Sequence, residues 1–222
     1  MVRDLWVFGY GSLIWRPGFE TLEAVPARLA GFRRSLCVFS IVYRGTPERP
    51  GLVFGLDRGG ECAGIALRVG AEHARAVITY LRAREQVTRV YLERWLTVSL
   101  ARGGEPERVR ALCYVADPTH VQYAGGLNLA QQAAIVARGW GRSGPNVAYV
   151  RNTAHHLREL GIRDRGLDRL MGLIGRRPSH AMTWPANREA SALSARLSGA
   201  GRAPPPKHRL ARQWRLRINH RG

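Results

Sequence analysis

The 222-residue chain is long enough for one domain with a sizeable core, or for such a domain and a tail. At 45% hydrophobic and 8% aromatic residues it has the balance of a globular protein, and no run approaches the roughly 18 apolar residues of a membrane-spanning helix. The formal net charge of +19 is unevenly spread, since residues 176–222 carry ten Arg, Lys207 and a single acid, Glu189, for +10. Basic charge attracts polyanions. With 34 arginines against one lysine, however, the excess looks like a coding bias and is poor evidence for nucleic-acid work.

The N-terminal "MVRDLWVFGYGS" lacks the long apolar segment of a signal peptide, so a cytoplasmic protein with no membrane partner is expected. "LWVFG", residues 5–9, is a short apolar run ended by glycine and predicts a buried strand. After the loop "YGSLIW", "EAVPARLAGFRRSLCVFSIVY" predicts one long strand or a broken pair. "GLVFGLDRGGECAGIALRVG" reads as a hairpin turning at "DRGG". "AEHARAVITYLRAREQ" has helical periodicity, and "WLTVSLA" and "VRALCYVAD" are strand candidates around the turn-rich "RGGEPER". Three helices follow: "LNLAQQAAIVARG", "PNVAYVRNTAHHLRELG", and "DRGLDRLMGLIG" capped by Asp164. From Arg176 the periodicity decays, and Pro204, Pro205 and Pro206 exclude a continuing helix. Strands then helices without alternation imply an α+β domain over residues 1–175, with a basic, largely flexible tail over 176–222.

Cys37, Cys62 and Cys113 have no paired spacing and sit in apolar surroundings, so they read as buried hydrophobes rather than disulfide partners or metal ligands. His155 and His156 are adjacent on a helix and point apart, which argues against a metal pair. No metal and no cofactor is expected.

The loop "FGYGSLIW" invites three motif readings, and each fails. A dinucleotide fingerprint needs glycine where Ile14 stands, and a Walker loop needs a lysine, absent before Lys207. A nucleophile elbow needs glycines two residues either side of Ser12, where Tyr10 and Ile14 stand. Gly9 and Gly11 do allow a tight turn and close approach to a ligand, and successive N–H groups there could cradle a carboxylate or oxyanion. In the helix after Ala71, residues Ala74, Val77, Ile78 and Leu81 form an apolar stripe, and Glu85 falls within it. A glutamate on that face must be paired, protonated or used, with Arg82 or Arg89 as candidate partners. "YRGTPERPG", stiffened by Pro47 and Pro50, presents Arg44, a guanidinium suited to a carboxylate.

Together, "FGYGSLIW", "RGTPERPGLVFGLDRGG", "YLRARE" and "GRSGPNVAYVRNT…LRELGIRD" resemble, in the same order, the ChaC-like γ-glutamylcyclotransferases from about residue 4 to residue 174. The resemblance implies a small mixed β-barrel flanked by helices, and cleavage of glutathione to 5-oxoproline and cysteinylglycine without metal or nucleotide. It assigns the catalytic role to Glu85 and substrate binding to Tyr10, Gly11, Ser12 and Leu13, to Arg44, and to Tyr149. One departure is Ala148, where many members carry an acidic residue. Other γ-glutamyl amino acids or amines are the alternative substrates. Nucleic acid is expected to bind only non-specifically, through the tail, and the protein is expected to be a monomer.

Overall fold

The computed structural model describes residues 3–103 and 107–174. The predicted basic tail therefore lies outside the described residues. Five strands close into a barrel in the order β1-β3-β2-β4-β5, with β5 returning to β1. These are β1 (Leu5–Gly9), β2 (Glu23–Ser40), β3 (Gly51–Val69), β4 (Tyr91–Leu100) and β5 (Glu107–Ala116).

The largest element is an antiparallel hairpin of β2 and β3, paired from Glu23↔Arg68 to Ser40↔Gly51. This corrects one sequence reading. "DRGG" is not a turn, and "GLVFGLDRGGECAGIALRV" is one continuous strand of 19 residues. Gly59 and Gly60 do take positive φ (90° and 72°), but they lie opposite Gly31 (φ 82°), where the ladder slips between Ala30 and Phe32. Extra residues on facing strands there make a bulge that bends the ribbon, which a barrel needs in order to curl. Glycine signalled positive φ correctly and its purpose wrongly. The predicted long strand over residues 23–43 is β2, unbroken as a strand though bulged twice.

Burial explains why β1 is central. Leu5, Val7 and Phe8 are buried, and the strand runs antiparallel to β3 on one side and parallel to β5 on the other. It stops at Gly9. Beyond that point β3 and β5 meet only at Leu56↔Val115. The edge of β3 at Leu52 and Phe54 would then lack ladder partners, which is costly for buried amides. Side chains fill the gap. Asn146 bonds the Leu52 N–H (2.6 Å) and carbonyl (2.7 Å), Tyr149 accepts from the Phe54 N–H (3.1 Å), and Tyr91 donates to the Phe54 carbonyl (2.8 Å).

Among the described residues, four α-helices pack outside the barrel: α1 (Ala74–Glu85), α2 (Leu129–Arg138), α3 (Asn146–Glu159) and α4 (Arg165–Ile174). Helix α2 opens with a capping box between Asn128 and Gln131, and Asp164 caps α4 through the Leu167 N–H at 3.0 Å. Among the described residues, no helix is long and apolar enough to cross a membrane.

Candidate active site

The glycine loop leaves the barrel where β1 ends and tightens into a single 3-10 turn, Ser12–Ile14. Its first internal bond runs from the Ile14 N–H to the Gly11 carbonyl at 3.0 Å. The N–H groups ahead of that bond form the electropositive end of the turn. Neither Gly9 nor Gly11 has positive φ, so their value is space. A Cβ on Gly11 would stand 3.4 Å from the Tyr149 hydroxyl, and one on Gly9 3.1 Å from Ile65 Cγ2.

Two arginines brace this loop from different elements. Arg34 of β2, its side chain 4% exposed, donates to the Tyr10 carbonyl (2.6 Å), to the Ala63 carbonyl and to Asp164 (2.8 Å). A peptide group is planar and trans, so drawing the Tyr10 carbonyl towards Arg34 turns the Gly11 N–H the opposite way. Arg84 of α1 donates to Ser12 Oγ (2.8 Å) and to the carbonyls of Arg16 (2.6 Å) and Pro17 (3.1 Å).

Glu85 closes α1. The sequence placed it on the apolar face with Arg82 or Arg89 as possible partners. The structure pairs it instead with its neighbour Arg84, Nε to Oε1 at 3.0 Å. Its side chain is 19% exposed, and burial raises its pKa above the ordinary carboxylate value, with Arg84 opposing the rise. The phenols of Tyr10, Tyr91, Tyr114 and Tyr149 all sense its charge. Each is pushed upwards, first by its own burial, so all four are neutral at pH 7. Four neutral hydroxyls around one carboxyl provide polarity without competing charge.

Tyr149 lies one turn after Asn146, so the amide that fastens α3 to β3 also places the phenol beside Gly11. With its oxygen accepting from Phe54, its own proton remains available for donation. Arg44 lies over the Tyr149 ring, guanidinium carbon to centroid 5.4 Å, and Nη1 bonds the carbonyls of Ser143 (2.6 Å) and Pro145 (3.2 Å). Trp15 packs against Tyr149 and stacks on His156 at 5.3 Å.

The structure thus gathers Gly11, Ser12, Glu85, Arg44 and Tyr149 around the end of β1. Tyr10 and Leu13 belong to the same loop but turn their side chains into the core, and the Tyr10 hydroxyl donates to the Tyr114 carbonyl at 2.7 Å. Sequence reasoning missed Arg34, Arg84, Tyr91 and Asn146. For Asn146 a signal existed, a polar side chain just past Pro145 on the apolar face of a helix.

His155 and His156, expected to point apart, both converge on Glu159, at 3.3 and 2.6 Å. This trio alone, among the described residues, brings three ligand-type atoms within 4.8 Å of one another, and imidazole–carboxylate pairing accounts for it. The cysteines are buried as expected, and burial pushes the thiols of Cys37 and Cys113 to about 12 and that of Cys62 to about 11.

The barrel with its glycine loop and enclosed carboxylate defines a γ-glutamylcyclotransferase-type fold. A yeast γ-glutamylcyclotransferase specific to glutathione superimposes with a TM-score of 0.72 at 23% identity, over 77% of this chain and 95% of that one. The family model described as ChaC-like protein matches residues 5–177, and the chain belongs to that family. Among its relatives, the glutathione-specific γ-glutamylcyclotransferase of Escherichia coli K12 is 34% identical over 167 residues, 75% of this chain and 71% of that protein. The human glutathione-specific γ-glutamylcyclotransferase 1 is 30% identical over 177 residues, 78% of this chain and 79% of that protein.

Proposed function

We propose that this protein is a γ-glutamylcyclotransferase that cleaves glutathione to 5-oxoproline and cysteinylglycine. The observation that carries the reading is Glu85, a largely buried carboxyl tied through Arg84 to the glycine loop, with its pKa raised by burial. The names of the relatives supply the substrate.

A γ-glutamyl amide carries its nucleophile within itself. The α-amine nitrogen attacks the γ-carbonyl carbon, a five-membered lactam forms, and the amide C–N bond to cysteine breaks. No water is consumed, and tethering supplies a large effective concentration. The enzyme's task is proton transfer. Glu85 takes a proton from the ammonium, freeing the nucleophile, and returns it to the departing amine; the second proton that this nitrogen sheds on becoming the lactam N–H balances the one by which the released amine becomes an ammonium. A carboxyl whose pKa lies closer to neutrality performs both halves better than an ordinary one.

The N–H groups of Gly11, Ser12 and Leu13 hold the developing oxyanion or the α-carboxylate, a contribution commonly worth about 3–4 kcal/mol. Tyr149 offers its proton to the same region, and Arg44 meets a substrate carboxylate. Ser12 acts as a positioning group, its hydroxyl already engaged by Arg84.

The direct test is incubation of the purified protein with glutathione, with mass spectrometry for 5-oxoproline. Release of 5-oxoproline from glutathione in preference to γ-glutamyl-alanine supports the reading. Absence of product from any γ-glutamyl compound refutes it.

A further inference from the structure

We propose that Arg84 is the positioning residue of this site, fixing the Glu85 carboxylate relative to the glycine loop by ion-pairing with one and hydrogen-bonding the other at once. The inference rests on the catalytic reading of Glu85 and extends it to a residue that acts through Glu85 and the loop.

One guanidinium spans the two parts. Its Nε faces Glu85 Oε1 at 3.0 Å, and its Nη2 donates to Ser12 Oγ at 2.8 Å. Its Nη1 is shared among the carbonyls of Arg16 and Pro17 and the Tyr80 hydroxyl (3.2 Å). Neighbouring residues on a helix point about 100° apart, so α1 alone does not direct Arg84 and Glu85 to a common place. The loop does, by capturing the fork. Only a planar group with five N–H donors serves this many acceptors, and a lysine ammonium cannot reproduce it.

Arg84 also sets the charge balance. The titratable groups facing Glu85 are the phenols of Tyr10 from the loop, Tyr91 from β4, Tyr114 from β5 and Tyr149 from α3. Arg84 is the cation that opposes burial of the carboxylate. Its two duties are separable, because charge belongs to any cation and alignment only to the fork.

The test compares Arg84→Met, Arg84→Lys and Ser12→Ala in 5-oxoproline release across pH, with circular dichroism confirming the fold. In Arg84→Met, kcat should fall about tenfold or more from lost alignment, and the acid limb of kcat/KM should move to higher pH. In Arg84→Lys, kcat should fall while the limb stays near its original position. Ser12→Ala should lower kcat a few-fold without moving the limb. An unmoved limb in Arg84→Met, or unchanged kcat in Arg84→Lys and Ser12→Ala, overturns the proposal. If Arg84→Met fails to fold, the other two variants decide. If the unmodified protein releases no 5-oxoproline, the catalytic reading fails on its own. Carbon-13 NMR of the labelled glutamate carboxyls, with Glu85→Gln for assignment, then decides. A higher Glu85 midpoint in Arg84→Met, or in Arg84→Gln should Met not fold, upholds the link, and an unchanged midpoint removes it.

Discussion

The last turns of α1 reach two glutamates, Glu93 across on β4 and Glu85 at the helix's own end, and both side chains are 19% exposed. Each has an arginine of α1 beside it. Glu93 accepts a fork from Arg82, Nε at 2.9 Å and Nη2 at 2.7 Å, and a long bond from the Tyr114 hydroxyl. Those donors hold its pKa below the usual carboxylate value. Glu85 receives one contact from an arginine whose other donors are committed to the glycine loop, and its pKa is raised by burial. Equal surface contact goes with opposite shifts, because Glu85 is enclosed by more of the protein and desolvated by it, whereas the donors facing Glu93 outweigh its slight burial. One glutamate is a strut, and the other is the carboxyl to which the proposed reaction gives the proton transfer.

The largest expected effect breaks the second member of this pair. Glu85→Gln should reduce 5-oxoproline release by about 10²–10⁴-fold, measured by mass spectrometry. It should also raise the melting temperature at pH 7. A carboxyl whose folded pKa lies above its unfolded value costs stability wherever it is ionised in the folded state, and the neutral amide removes that cost. A lower melting temperature would mean that Glu85 is held for structure.

Next comes the pH profile of the unmodified protein. If Glu85 must be ionised to accept the ammonium proton, kcat/KM falls as pH drops through its raised pKa. The acid limb should thus lie above the ordinary glutamate value of about 4.3. A limb at or below that value would mean that burial does not govern this carboxyl.

Smaller still is the effect of breaking the strut. Glu93→Gln should leave turnover within about threefold, because no bond joins Glu93 to the loop. A partly exposed ion pair contributes about 0–1 kcal/mol, equivalent to at most about 2–4 °C for a chain of this size. The sign follows from its lowered pKa. The stability is present above the unfolded value and is lost as pH falls through the folded one, so melting curves of mutant and parent should converge below about pH 4. The smallest effect is expected from ending the chain after Gly175, because both pairs lie within the predicted catalytic segment. Turnover and acid limb should be unchanged, and their loss would show that residues 176–222 support the site.

Glu85 and the glycine loop were legible in the sequence because each violates a local rule, a charge on an apolar face and two glycines that complete no known motif. The helices followed from periodicity and caps. The β2/β3 ribbon did not, since glycines with positive φ mark a turn and a bulge alike, and only pairing partners tell them apart. Arg84 was invisible for another reason. Among 34 arginines nothing local distinguishes one that clamps a loop from one that faces solvent. Its meaning comes from Ser12, Arg16 and Pro17, some 70 positions earlier, placed beside it by β1 ending inside the barrel.

The buried cysteines acquire a purpose once the proposed substrate is considered. Glutathione is the reagent that caps exposed protein thiolates as mixed disulfides, and an enzyme that consumes it is bathed in it. Burial pushes all three thiols up to about 11 to 12, so they stay protonated at neutral pH. Cys37, Cys62 and Cys113 thus offer the disulfide form of glutathione neither an exposed sulfur nor a ready thiolate. The barrel that shelters them keeps these three sulfurs apart from the thiol–disulfide exchange that glutathione carries out at exposed sites.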